Sequence, residues 1–299
     1  MYFLTYALLY CISLLPSFIL YRLSDFAYLI LYYVVGYRKK VVFNNLNIAF
    51  PEKSFTEKKS IAKKFYRNLT DTFIETIALL SMSEKTFLNR NKFNLEEVIL
   101  LTKKGKSIQF HSGHQFNWEY ANWVISKHMP IPFVGVYMKI SNKAIDKIFY
   151  NLRSKKGTVL VATHEFKNKM HQLLKQQYSI GLAADQNPGN PSNAYWLNFF
   201  NRPVPFVTGP DKGGIKNNTS IVFVRLEKIK RGNYRVVTKV IAKNAADLKE
   251  GQITKLYRDF LEESIRANPD NYLWSHRRWR WEYNESFADK WIDDKEPLH

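Results

Sequence analysis

A chain of 299 residues is enough for one large domain or two small ones, and its 45% hydrophobic residues with only 12 Gly and 11 Pro exclude wholesale disorder, collagen and low-complexity repeats. Its single cysteine, Cys11, excludes an internal disulfide and a cysteine-built zinc site. The 45 Lys and Arg against 26 Asp and Glu leave a net charge of +19, which calls for an anionic partner: nucleic acid, an anionic leaflet or an acidic protein.

Residues 1–21 carry no charged side chain, and a bilayer core needs about 20 apolar residues at helical rise. The basic residues follow this stretch instead of preceding it, and no small-x-small cleavage site appears, so the segment reads as a retained membrane anchor and not a signal peptide. A second uncharged run, 26–37, is too short to span and is expected to lie at the interface, closed by Arg38, Lys39 and Lys40. That positive flank places the following chain in the cytoplasm. We therefore divide the chain into a membrane segment, 1–40, and a catalytic-size unit, 41–299.

Within the second unit, Ile61, Phe65, Leu69, Phe73, Ile77 and Leu80 recur at helical spacing and predict an amphipathic helix over 56–80. Predicted strands follow at 107–110, 133–137, 158–162, 179–183, 220–226 and 234–241, with helices at 117–127, 141–154 and 165–177 between the first four. This alternation predicts an α/β fold with a mixed, mostly parallel sheet flanked by helices, its last two strands forming an antiparallel hairpin. In such sheets chemistry gathers beyond the carboxyl ends of the strands.

Familiar signatures fail on inspection. Gly105-Lys106-Ser107 lacks the leading glycine of a phosphate loop, His164-Glu165 has Asn168 where a zincin needs its second histidine, and neither a nucleophile elbow nor a dinucleotide fingerprint occurs. What remains is the loop after the first of these strands, His111-Ser112-Gly113-His114-Gln115-Phe116-Asn117-Trp118-Glu119. A histidine after a glycine turn, with an acid five positions on at a helix start, places a base near a carboxylate. An imidazole can take a proton from a hydroxyl while an acid orients its other nitrogen. His114 as a strand cap and Glu119 as an ordinary helix N-terminal acid is the plainer alternative.

These residues resemble the H-x4-D/E motif of the glycerolipid and lysophospholipid acyltransferases, and most closely the late (secondary) lauroyl and myristoyl acyltransferases of lipid A biosynthesis. The likeness continues through Arg153 and Gly157, Asp185-Gln186, Phe199-Phe200, Pro203, Thr208-Gly209 and Trp274-x-His276-Arg277-Arg278, so it extends over nearly the whole chain. It implies transfer of a fatty acyl chain from acyl carrier protein to a hydroxyl of a lipid A precursor on the cytoplasmic face of a bacterial inner membrane. By position, His114 is then the general base, Glu119 its orienting partner, and Arg153 serves the phosphorylated head group or the oxyanion. Asp185, Gln186, His276, Arg277 and Arg278 become candidate substrate-binding residues. Asn187 and Asn201 depart from the family's usual residues, so chain length and acceptor position do not carry over.

With no Ser or Cys beside the histidine, direct attack by the acceptor hydroxyl is expected, without an acyl-enzyme and without metal or cofactor. Read alone, Asp185 is an initiator of the Asn187-Pro188-Gly189 turn before it is a catalytic group, and Phe199 and Phe200 are core or acyl-chain wall. The Arg/Trp block 274–281 suits a headgroup layer better than nucleic acid, given the membrane segment. The alternatives are an acyltransferase of the same superfamily acting on another membrane lipid, or a non-catalytic basic protein bound to membrane or nucleic acid.

Overall fold

The computed structural model describes residues 1–297. Its centre is a seven-stranded sheet in the order β1-β9-β8-β2-β5-β3-β4, built from β1 (Asn91–Phe93), β2 (Ile108–Ser112), β3 (Phe133–Tyr137), β4 (Val159–Ala162), β5 (Ser179–Ala183), β8 (Ser220–Lys230) and β9 (Asn233–Ala242). Five strands run parallel, while β9 is antiparallel to β8 and β1 follows β9, so the mixed sheet expected from the alternation is what forms. A hairpin of β6 (Ala194–Phe199) and β7 (Arg202–Val207) stands apart. Sequence reading missed it because both strands are buried almost throughout, with no alternation to detect. Its turn residues Phe200 and Asn201 take positive φ, which Asn tolerates and which gives Asn201 a local reason to stand there.

The helices in chain order are α1 (Tyr2–Ser13), α2 (Ser17–Leu29), α3 (Lys39–Ala49), α4 (Phe55–Ala78), α5 (Glu84–Arg90), α6 (Glu96–Lys103), α7 (Trp118–His128), α8 (Lys143–Ser154), α9 (Phe166–Leu173), α10 (Gly209–Lys216) and α11 (Gln252–Ala267). The amphipathic pattern over 56–80 becomes α4, opened by a capping box in which Ser54 and Glu57 satisfy each other's backbone N–H. Ile61, Phe65 and Leu69 enter the main core as expected, each burial contributing about 1.5–3 kcal/mol. Phe73 stays half exposed at the surface.

The N-terminus departs from expectation. The uncharged run 1–21 is not one helix: it breaks at Pro16, whose missing N–H and extended ψ end α1 and start α2. The helix with the length and hydropathy to cross a membrane is instead Ser17–Val35, α2 continued by a wider turn over Ile30–Val35 and closed at Gly36 with φ 63°. It therefore takes in Arg22, Asp25 and most of the run thought too short to span. In this structure α1 packs on α8 and α4, and α2 lies along α4. Their outer faces carry exposed Phe3, Leu4, Leu8, Phe18, Phe26 and Val34.

Polar ties fix α2 to the sheet. Arg231, in the β8–β9 turn, bonds Asp25 at 2.7 Å and Asp71 of α4 at 2.6 Å. Glu75 of α4, 2% exposed, accepts from Tyr21 of α2, Tyr234 of β9 and Asn117 just ahead of α7. Burial pushes the Glu75 carboxyl above its usual range, and the bonds from Tyr234 and Asn117 oppose that rise in part.

Candidate active site

Strand register decides the geometry of the site. Strands β2 and β5 are parallel neighbours with Ser112 opposite Ala183, so two residues further His114 and Asp185 leave the same edge together. The His114 Nδ1 lies 2.6 Å from Asp185 Oδ1, and the His114 backbone N–H donates to Oδ2 at 3.0 Å. A carboxylate can only accept, so Nδ1 carries the hydrogen and Nε2 is the basic nitrogen. No hydrogen bond reaches Nε2 among the described residues, and the side chain is 26% exposed.

Burial is the largest single influence on His114 and lowers its pKa, but the charge and hydrogen bond of Asp185 outweigh it and the net shift is upward. Asp185 is 1% exposed, and burial alone would raise it; the facing imidazole and two N–H donors bring it down to about 2. The turn at Gly113 makes the approach possible. A Cβ there would stand 2.5 Å from Leu261 Cδ1 and 3.8 Å from Asp185 Oδ2.

Glu119 does not orient the imidazole, contrary to its place in the H-x4-E pattern. Its buried carboxylate accepts Nε and Nη2 of Arg153, at 3.0, 3.1 and 2.6 Å, and the Trp118 indole N–H at 3.1 Å. The first turn of α7 aims this side chain at α8, away from the strand ends, so the acid nearest His114 along that helix is not the acid nearest in space. Trp118 in turn stands edge-on to the His114 ring, centroids 6.2 Å apart. Arg153 is thus engaged by a carboxylate through Nε and Nη2.

Trp118, Gln186 and His276 line a groove of about 470 Å³ whose other walls include Leu31, Leu69, Phe73 and Leu273. His276 Nε2 accepts the backbone N–H of Asn187 at 3.2 Å, and burial with nearby Arg278 lowers its pKa to about 4, so the ring is neutral. Arg277 is exposed and bonds Asn187 through its carbonyl.

Arg278 is 1% exposed: Nη1 donates to Asn187 Oδ1 and the Pro205 carbonyl, and the guanidinium lies 4.3 Å from the centre of the Phe206 ring. Together with the fully buried Trp274, this makes part of the Arg/Trp block an internal clamp between the Asp185 loop and β7, while Arg277 and Arg280 stay exposed. Phe199 and Phe200 are core, as read. His111, buried beside the Gln109 amide at 2.9 Å, is held neutral by desolvation with a pKa of about 3.

A family model for bacterial lipid A biosynthesis acyltransferases matches residues 1–281, which spans the two N-terminal helices, the sheet and the clamp at 274–281. The chain belongs to that family. The likeness seen in the separate motifs is therefore a likeness of the whole molecule. No curated protein matches the sequence. Membership makes the chain an acyltransferase of lipid A biosynthesis from a membrane-associated bacterial family, and the apolar N-terminal helix agrees with that setting.

Proposed function

We propose that this lipid A acyltransferase moves a fatty acyl group from acyl carrier protein to a hydroxyl of a lipid A precursor, with His114 as general base oriented by Asp185. The observation that carries the reading is the 2.6 Å bond from Nδ1 to Asp185, which leaves Nε2 as the proton acceptor on a ring that stands edge-on to Trp118, a wall of the groove. In the reaction, Nε2 takes the hydroxyl proton as the acceptor oxygen bonds to the thioester carbon. The C–S bond then breaks, and the imidazolium returns its proton to the departing thiolate. Because Asn117 gives its side chain to Glu75 and caps nothing, the first N–H groups of α7 remain available to the carbonyl oxygen as it gains charge.

Glu119 serves the same centre at one remove, holding Trp118 against the histidine and pinning Arg153. Leu31, Phe73 and Leu273 suit an acyl chain, while Gln186 and His276 suit the polar acceptor. The +19 charge steers the acidic carrier protein and the anionic leaflet alike. The basic run Arg38, Lys39, Lys40 after Ser17–Val35 supports placing the catalytic unit at the cytoplasmic face of the inner membrane.

The test is mass spectrometry of lipid A from a strain lacking its late acyltransferases, carrying either this chain or its His114→Ala variant. One added acyl chain with the first and none with the second is expected. An unchanged lipid A with the intact, membrane-bound chain would refute the reading.

A further inference from the structure

A second cavity, about 800 Å³, shares no lining residue with the groove beside Trp118. It opens on the opposite face of α4: Lys64, Arg67, Asn68 and Asp71 recur at i, i+3, i+4 and i+7 and line it, whereas Leu69 and Phe73, half a turn away, line the groove. Its other walls come from α2, through Tyr28 and Leu29, from the β8–β9 turn, and from the segment 268–271.

The charges in this cavity do not cancel. Asp71 is taken by Lys228 and Arg231, and Asp25 by Arg231. Asp270 accepts from the Asn68 amide. Three further cations line the space, Lys64, Arg67 and Lys230, and none of them has an ion pair among the described residues. The Arg67 guanidinium lies 4.9 Å from the Tyr28 ring centre, a contact that does not use its donors. Beside this charge, Phe26, Leu29 and Ile30 are exposed on Ser17–Val35, so the mouth adjoins the exposed apolar strip of the helix long enough to cross a membrane.

From this juxtaposition of unpaired cations with an exposed apolar helix strip, we propose that the cavity binds the phosphate of a lipid headgroup, at a site separate from the transfer centre. The apolar strip holds the tails in the leaflet, while Arg67, Lys64 and Lys230 take the phosphate oxygens. Asp71 keeps Lys228 and Arg231 in place behind it. The site goes beyond the transfer reaction and does not depend on its chemistry.

The experiment is native mass spectrometry of the detergent-purified full chain with three added probes: short-chain phosphatidylglycerol, the matching diacylglycerol without phosphate, and inorganic phosphate. The same probes are applied to Lys64→Gln/Arg67→Gln/Lys230→Gln, whose sites are exposed and whose fold is checked by circular dichroism. Retention of one phosphatidylglycerol, little diacylglycerol, and a loss of about tenfold or more in the variant is the expected result. If inorganic phosphate is held as tightly as the phospholipid, the source is free phosphate. A raised KM for the lipid A precursor in the variant would identify the acceptor's own phosphate as the occupant, and an unchanged KM a resident phospholipid. Equal retention of diacylglycerol and phosphatidylglycerol, or equal binding by variant and parent, overturns the proposal. Because the readout is binding, failure of the acyl-transfer reading leaves this result standing, and the reverse holds too.

Discussion

Two pairs, each with a buried carboxylate, flank the loop between β2 and α7, and they are built on different principles. His114 and Asp185 lie 71 positions apart and meet because two parallel strands end side by side; Glu119 and Arg153 meet because α7 packs on α8. The first pair leaves Nε2 of a partly exposed ring without a hydrogen bond among the described residues. The second spends its carboxylate on a guanidinium and an indole. Proximity along the chain thus points to an acid that bonds Arg153 instead of the imidazole, while strand register brings Asp185 to the ring. The first pair is read here as the reacting one and the second as its support, and that division can be broken.

The largest effect is expected for His114→Ala, which removes the base and should reduce acyl transfer by about 10³-fold with folding intact; a steady-state assay with acyl carrier protein thioester measures it. Asp185→Asn should cost on the order of 10² and also change the pH profile. A neutral imidazole is the working form, and Asp185 raises the histidine's pKa, so activity falls as pH drops through that raised value. Without the aspartate charge, the acidic limb of the profile should move to lower pH. An unmoved limb would detach Asp185 from the histidine.

Glu119→Gln strands Arg153 with no counter-charge and should destabilise the fold by on the order of 3 kcal/mol, visible as a lower Tm, with a loss of activity nearer tenfold. Arg153→Gln should behave alike, and the double variant should be little worse than either single one. If Glu119→Gln instead abolishes transfer at full stability while Asp185→Asn keeps it, the roles assigned to the two pairs are reversed. The smallest effect is expected for Gly113→Ala, where the new methyl must push Leu261 aside; a cost of about 1–2 kcal/mol and a several-fold loss in kcat would show how tightly the turn is packed.

Much of this was legible in the sequence. The strands 133–137 and 179–183 and the hairpin after 220 were read with little error, because β-branched runs bounded by turn residues have few competing interpretations. His114 was singled out for the same reason: it stands after a glycine where a strand ends. What one sequence does not contain is which strands become neighbours. Asp185 looked like the start of an Asn-Pro-Gly turn until β5 was known to lie against β2, when the same two-residue offset from the strand end became the informative fact. The Arg/Trp block is ambiguous in another way, since alternating guanidinium and aromatic groups look alike whether they stay exposed, as Arg277 and Arg280 do, or, as at Arg278 and Phe206, pack against each other inside. At the N-terminus, lack of charge outweighed Pro16, although backbone chemistry at that residue decides where the helix begins.

The cluster around Glu75 bears on how this molecule is handled. Removing the first 37 residues to obtain a water-soluble fragment would do more than detach a greasy handle. It would take Tyr21 away from a sequestered acid whose remaining partners include Asn117, three positions from His114, and would leave Asp71 and Arg231 without Ser24 and Asp25. Such a fragment is expected to be poorly folded and inactive, which makes detergent or nanodisc preparations of the intact chain the sounder route to crystals and kinetics.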